Sequence, residues 1–78
     1  MEMKEQIRDV IVKMLKVKPE EIRDDAKLYD SIGVDSTEMV ELLIALEKSF
    51  GVKISPKEVT KFSTLNEIEK IIQSKQSA

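Results

Sequence analysis

The sequence predicts an all-α protein, a bundle of four helices, and three observations support this prediction. Apolar residues recur at intervals of three and four positions, which is the spacing of a buried helix face. Residues that favour helix starts precede these stretches, and no segment shows the alternation typical of a β-strand. With 78 residues, the chain is near the lower size limit for a domain with its own core. We therefore expect residues 1–78 to form one domain.

The first helix is predicted over about residues 3–15. Its apolar residues fall on one stripe, which we expect to face the core: Ile7, Val10, Ile11, Met14 and Leu15. The helix should end before Pro19, because the residue before a proline is pushed out of helical geometry. Residues 19–22 are predicted to add one short turn.

A long loop is predicted over residues 23–34. Its apolar anchors should hold it against the bundle: Ala26, Leu28, Ile32 and Val34. The aspartates of this region do not match a calcium loop, because Ala26 and Leu28 stand where ligand oxygens are needed. We expect no dedicated metal site, whereas weak binding of cations by these carboxylates stays open.

The second helix is predicted from Ser36 to about Phe50, and Gly51 is a natural residue to end it. Asp35 is a good N-cap, and Glu38 stands three residues later, so the pair reads as a capping box. Ser36 then lies in the first turn, where N–H groups are unpaired and the helix dipole is positive. An anionic group attached to its hydroxyl would be favoured there.

This second helix has two different faces. At about 100° per residue, the core side collects Met39, Leu42, Leu43, Leu46 and Phe50. The opposite side carries Thr37, Val40, Glu41, Ile44 and Lys48, with Glu47 near its edge. Two branched apolar residues among charges are more than a solvated surface requires, although single exposed hydrophobic residues are normal.

Two further helices complete the prediction. A helix-start signal begins at Ser55, which can act as the cap, and continues with Pro56 at the first helical position and Glu58 at the third. It predicts a short third helix that ends near Phe62. A second capping box, Thr64 to Glu67, opens a fourth helix. Its inward residues are Leu65, Ile68, Ile71 and Ile72. Residues 73–78 are polar and are expected to fray.

Composition excludes several classes of function. The chain has no cysteine and no histidine, so it lacks thiolate chemistry, the usual general base and the commonest metal ligand. Without such a base, no spacing here suggests that Ser36 is a catalytic nucleophile. No stretch approaches the roughly 20 apolar residues of a membrane span, and charges interrupt the N-terminal region as they would not in a signal peptide. We expect a cytoplasmic monomer.

The distribution of charge favours a protein partner. Thirteen basic and fifteen acidic residues leave a net charge of −2. Acids concentrate around the serine, because residues 35–48 hold four acids and one lysine. This pattern is opposite to the basic stripe of a nucleic-acid-binding protein, and it would attract a basic protein surface.

Residues 35–42 read Asp-Ser-Thr-Glu-Met-Val-Glu-Leu, which resembles the Asp-Ser-Leu-(Asp/Glu)-x-Val-Glu-Leu signature of acyl carrier proteins. The similarity extends from Ile7 to Ile72 and includes the loop before the serine and the end of the second helix. It implies that Ser36 receives 4′-phosphopantetheine from coenzyme A through a separate phosphopantetheinyl transferase. Asp35 would take part in recognition by that transferase. The chain would then be a carrier of acyl thioesters and not an enzyme.

The same resemblance implies two further sets of residues. Partner enzymes with basic docking surfaces would bind a face formed by Thr37, Glu38, Val40, Glu41, Ile44 and Glu47. An acyl chain would enter between the second and third helices, against Met39, Leu42, Leu46, Ile54, Val59, Phe62 and Ile68. Each of these seven residues is equally well explained as ordinary core.

Departures from the signature concern the pathway. Thr37 replaces the usual leucine, and Lys48 stands where the family often has an acid. Lys53, Lys57 and Lys61 make the predicted third helix basic. These differences indicate a specialised carrier more than a housekeeping one, for fatty-acid, polyketide or related acyl biosynthesis. A peptidyl or aminoacyl carrier and an unmodified helical interaction module are the alternatives.

Overall fold

The fold is taken from a computed structural model. The structure describes residues 2–77. The chain order is α1 (Met3–Leu15), a 3₁₀ turn (Pro19–Glu21), α2 (Leu28–Ile32), α3 (Ser36–Phe50) and α4 (Leu65–Ser77). Within residues 2–77 the only extended pairing is an isolated bridge between Lys27 and Thr64. The all-α, four-helix prediction is confirmed, and so are the bounds of the first helix and of the helix that begins at Ser36.

The core lies where α1 packs against α3 and α4. The helices contribute Ile7, Ile11, Met39, Leu42, Leu43, Leu46, Leu65, Ile68 and Ile72, all buried. The short helix α2 adds Leu28, and the connections between helices add Ile22, Val34, Ile54 and Val59. Met14 departs from its predicted stripe, because its side chain is 37% exposed near the end of α1. Among residues 2–77, no helix combines the length and the apolar character needed to cross a membrane.

The prediction of a loop over residues 23–34 is wrong in its second half, which contains α2. Backbone contacts with a distant segment start this helix: the Leu28 N–H donates to the Ser63 carbonyl at 3.0 Å, and the Tyr29 N–H donates to the Lys61 carbonyl at 2.8 Å. Gly33 ends it with a φ of +64°, a left-handed conformation that glycine adopts without strain. The partners of Leu28 and Tyr29 are far away in sequence, so no local signal marks the helix start.

The prediction of a short third helix over residues 55–62 is also wrong, because the segment forms a series of turns. The predicted capping groups do engage: the Ser55 N–H donates to Glu58 Oε2 at 2.9 Å, and the Lys57 N–H donates to Ser55 Oγ at 3.1 Å. The Glu58 and Val59 N–H groups donate to the Ser55 carbonyl at 2.9 and 3.3 Å. The Thr60 N–H donates to Ser63 Oγ at 3.0 Å instead of to a carbonyl of the turn. The helix therefore starts but does not continue.

The start of α4 follows its prediction. Thr64 Oγ1 accepts from the Glu67 N–H at 3.1 Å, and Glu67 Oε1 accepts from the Thr64 N–H at 2.8 Å, which is a complete capping box. The helix continues through Ser77. The fraying of residues 73–78 stays a prediction, and Ala78 lies outside the described residues.

A partly buried arginine, Arg8, fixes the connection that follows α1. Arg8 donates to the Ile22 carbonyl at 2.8 Å and pairs with the Asp24 carboxylate. The Asp24 carbonyl in turn accepts from the Asn66 N–H at 3.1 Å, at the start of α4. Asp24 therefore holds three parts of the chain together, and its charge is neutralised by Arg8 and, at 3.8 Å, by Lys4.

An ion pair joins the turns to α4 and carries a pH-dependent contribution to stability. Lys75 Nζ lies 2.9 Å from Glu58 Oε1, and this contact, with the hydrogen bond from Ser55, holds the pKa of the Glu58 carboxyl below its ordinary range. A lowered pKa in the folded state means that the ionised form stabilises the fold. The contribution is therefore fully present above the unfolded pKa of about 4.3 and is lost as the pH falls through the lowered pKa.

We expect Glu58→Gln to be less stable than the wild type at neutral pH, with a difference that shrinks below about pH 4. Urea denaturation of both proteins from pH 3 to pH 7 measures this difference. Glu20→Gln serves as the control for removal of a carboxylate, because Glu20 is exposed on the 3₁₀ turn. A wild-type-minus-variant difference that is constant with pH would contradict the assignment.

Candidate functional site

The site begins at Ser36, the first residue of α3, whose side chain is exposed. Asp35 caps the helix: its Oδ1 accepts from the Glu38 N–H at 2.8 Å, and its own N–H donates to Glu38 Oε1 at 3.1 Å. The Asp35 carbonyl accepts the first helical hydrogen bond, from the Met39 N–H at 3.0 Å. The predicted capping box is present, and it fixes Ser36 at the positive end of a fifteen-residue helix.

The surroundings of Ser36 suit an anionic group on its hydroxyl. The sequence has no histidine that could act as a base. Among residues 2–77, no cluster of three or more carboxylate side chains is placed to hold a metal ion. The N–H groups of Ser36 and Thr37 point beyond the helix end, as at every helix start, so an anionic group on the hydroxyl would meet donors.

Ser36 opens onto an apolar groove of about 330 Å³ between α3 and the turns that follow it. The groove is lined by Ser36, Met39, Val40, Leu43, Pro56, Val59, Thr60, Lys61 and Phe62. Three residues predicted for an acyl pocket lie here: Met39, Val59 and Phe62. The acyl-pocket role itself stays a prediction.

The other predicted pocket residues lie elsewhere. Leu42, Leu46 and Ile68 are fully buried in the core and do not line this groove. Ile54 lines a smaller neighbouring groove of about 180 Å³. Phe62 is 54% exposed at the edge of the main groove, not buried within a helix face.

Sequence reasoning missed several groove residues for identifiable reasons. The helical spacing predicts Leu43 on the core side of its helix, and no other signal in the sequence marks it as a groove residue. Pro56, Thr60 and Lys61 line the groove because residues 55–62 form turns. A helix in their place would have oriented these side chains differently.

The outward face of α3 lies beside the groove. Val40 and Ile44 are 52% and 47% exposed, and Thr37 and Glu41 are exposed as well. Glu38 and Glu47 are half-buried. Glu47 also has a structural contact, because its Oε2 accepts from the Ile54 N–H at 2.8 Å. The helical geometry therefore brings four of the predicted docking residues to one side, Thr37, Val40, Glu41 and Ile44, and leaves Glu38 and Glu47 at opposite edges of that face. The role of all six in docking stays a prediction.

Comparison with known proteins is consistent with this site. Residues 5–72 match a family model described as "Phosphopantetheine attachment site". An acyl carrier protein of Campylobacter hominis is 36% identical over 74 residues, covering 95% of this chain and 94% of that protein. An acyl carrier protein of Wolinella succinogenes is 35% identical over 68 residues, covering 87% of this chain and 90% of that protein. An acyl carrier protein of Buchnera aphidicola is 39% identical over 71 residues, covering 91% of this chain and 89% of that protein.

The fold and the match define a carrier domain that bears a prosthetic group. The chain belongs to the acyl carrier protein family, whose members are carriers and not catalysts and hold 4′-phosphopantetheine covalently. The residues fit such a group: an exposed hydroxyl stands at a helix start, and a largely apolar groove opens beside it.

Proposed function

We propose that Ser36 is the residue that accepts 4′-phosphopantetheine. The observation that carries this proposal is the exposure of its side chain at the first position of α3, beside an apolar groove and within the motif of residues 35–42. The attached arm supplies a terminal thiol that carries acyl groups as thioesters. This explains how a chain without cysteine takes part in thiol chemistry.

The residues of the chain have separate tasks in this proposal. The N–H groups and the dipole at the start of α3 favour the phosphate on Ser36. Asp35 orients that helix start through its cap and is presented to the transferase beside the serine. The groove residues Met39, Leu43 and Val59 offer an apolar surface to a bound acyl chain.

The outward face of α3 docks partner enzymes in this proposal, among them the phosphopantetheinyl transferase and synthase enzymes. Val40 and Ile44 provide apolar contact at the centre of the face, and Glu41 provides a charge that attracts a basic surface. Glu47 contributes less than the sequence predicts, because its carboxylate is already occupied by the Ile54 N–H. The chain acts as a monomer that visits several enzymes in turn.

The proposed role is that of a specialised acyl carrier in fatty-acid, polyketide or related acyl biosynthesis. Support comes from Thr37 at the usual leucine position and from three lysines after α3, at positions 53, 57 and 61. A partner selected for strongly acidic carriers would meet a different charge pattern here.

Intact mass tests the attachment site. We expect wild-type protein to gain one phosphopantetheine when incubated with coenzyme A, magnesium and a broad-specificity transferase, and Ser36→Ala to gain none, because the accepting oxygen is removed. Ser31→Ala is the matched control, since it removes the nearest other serine upstream of the site, and it should be modified like wild type. Equal modification of Ser36→Ala, or no modification of wild type, would contradict the proposal.

The load on the arm separates the remaining alternatives. Holo-protein isolated from its native cells should carry an acyl thioester, as the relatives' name indicates. An amino acid on the arm would instead identify an aminoacyl carrier. A protein that is never modified in those cells would be an interaction module.

A further inference from the structure

Two aromatic side chains lie exposed beside the groove. Tyr29 and Phe62 are 50% and 54% exposed, and their ring centroids are 5.8 Å apart at an interplanar angle of 58°. The chain has three aromatic residues in all, and two of them stand about half exposed at this one place. Aromatic side chains are enriched in protein–protein interfaces, where they supply large rigid contact area.

Two lysines accompany this aromatic pair. Lys61 Nζ lies 5.2 Å from the Tyr29 ring centroid and 5.5 Å from that of Phe62, and Lys27 Nζ lies 5.9 Å from the Phe62 centroid. The Tyr29 N–H donates to the Lys61 carbonyl at 2.8 Å, which fixes the two backbones relative to each other. We call Lys27, Tyr29, Lys61 and Phe62 the cationic aromatic patch.

The patch adjoins the proposed docking face but has the opposite charge. Lys61 and Phe62 line the same groove as Ser36, and so does Val40 of the α3 face. Glu38 and Glu41 do not line the groove and lie on the side of α3 that faces away from it. A partner that reaches Ser36 and extends past both sides of the groove therefore meets acids on the outer side of α3 and a basic aromatic surface on the turns.

We propose that the cationic aromatic patch is a second docking surface, for a partner enzyme that carries carboxylates around an apolar recess. The recess receives Phe62, and the carboxylates pair with Lys27 and Lys61. The inference rests on the proposed function, because it assigns part of the recognition of partners that act on the Ser36 arm. Such a partner is basic where it faces α3 and acidic where it faces the patch, so the charge pattern selects it over enzymes that recognise acidic carriers alone.

Charge favours an enzyme over the two other occupants of such a surface. An anionic lipid surface would be repelled by Asp30, which follows Tyr29, and by the net charge of −2. A second copy of this chain would bring its acidic α3 face to the patch, and that contact would cover both copies' surfaces next to Ser36. A carrier needs those surfaces accessible, so we assign the patch to an enzyme.

The test uses phosphopantetheinylated protein and, as probes, purified acyl-loading and condensing enzymes from the same organism. Affinities and rates are measured for wild type, Lys27→Glu/Lys61→Glu, Lys27→Gln/Lys61→Gln and Phe62→Ser. Lys70→Glu is the matched control, because Lys70 is an exposed lysine on α4 outside the patch. Circular dichroism melts show whether each variant is folded, and the glutamine variant keeps the test valid if charge reversal unfolds the chain.

We expect at least one enzyme to bind the lysine variants about tenfold more weakly, mainly through slower association, and Phe62→Ser about tenfold more weakly through faster dissociation. Lys70→Glu should bind that enzyme like wild type. An enzyme that recognises only the acidic face would bind the lysine variants more tightly than wild type. The change in affinity therefore has opposite signs for the two kinds of enzyme. If every enzyme that binds wild type binds the lysine variants equally or more tightly, the proposal is overturned.

Two further measurements decide against the other occupants. One is co-sedimentation with vesicles of phosphatidylglycerol and phosphatidylcholine, and the other is concentration-dependent dimerisation in analytical ultracentrifugation. The proposal is overturned if vesicle binding or dimerisation depends on Phe62 while the binding of no enzyme depends on it. The mass measurement on Ser36 is independent of all these results. A chain that is modified at Ser36 but insensitive at the patch refutes this inference alone, whereas an unmodified chain refutes the proposed function.

Discussion

Leu42→Ala is expected to destabilise the fold by about 2–5 kcal/mol, whereas Ile44→Ala, two residues later on the same helix, should change stability by less than about 0.5 kcal/mol. Leu42 is fully buried where α3 faces the core, and its truncation leaves a cavity. Ile44 is 47% exposed on the opposite face, so its truncation removes little buried surface. Small domains have total stabilities of roughly 5–15 kcal/mol, so the first substitution removes a large share.

Urea denaturation monitored by circular dichroism measures both variants against wild type. The pair is matched in helix, in chain position and in the loss of a branched aliphatic side chain. Comparable destabilisation by the two substitutions would mean that α3 is rotated about its axis relative to the structure. The face that we assign to docking would then be part of the core.

Ile44→Ala is expected to raise the dissociation rate of a docked partner about tenfold, which corresponds to about 1–2 kcal/mol if the side chain is buried on binding. Glu41→Lys should instead slow association with a basic partner and weaken the salt dependence of the rate, because exposed charges mainly steer the encounter. Both side chains are exposed on α3, so neither substitution should unfold the domain.

Stopped-flow or surface-based kinetics with the transferase and one synthase separates the two rates. Glu20→Lys is the control for net charge, because Glu20 is exposed on the 3₁₀ turn, outside the proposed docking face. Glu47 is less suited to such a test, since its reversal would also remove the acceptor of the Ile54 N–H. Equal effects of Glu20→Lys and Glu41→Lys would show that total charge, and not the α3 face, controls association.

The parts of the fold that sequence predicts are those set by neighbours in the chain. The capping boxes at Asp35 and Thr64 act over three residues, and both are present with two hydrogen bonds each. The apolar spacing of α3 places Leu42 inside and Val40 outside as predicted. These features depend on helical geometry alone, which the sequence specifies directly.

The parts that sequence does not predict depend on contacts between distant segments. The start of α2 is held by carbonyls of Lys61 and Ser63, and the turns after Ser55 are shaped by a side-chain bond between Thr60 and Ser63. Both errors therefore arise at the same junction. The same junction shapes the site, because its turns leave Phe62 exposed and place Lys61 at the groove.

The two walls of the groove resist opening to different degrees. One wall is α3, whose buried side chains are part of the main core. The other is a segment without regular helix. It is held by the contacts of Glu47 with Ile54 and of Glu58 with Lys75, and by the Lys61 and Ser63 carbonyls, which accept from α2. Local opening of that segment costs those contacts and the burial of Val59, while α1, α3 and α4 stay packed. We therefore expect the groove to widen by displacement of this turn segment and not by separation of the helices.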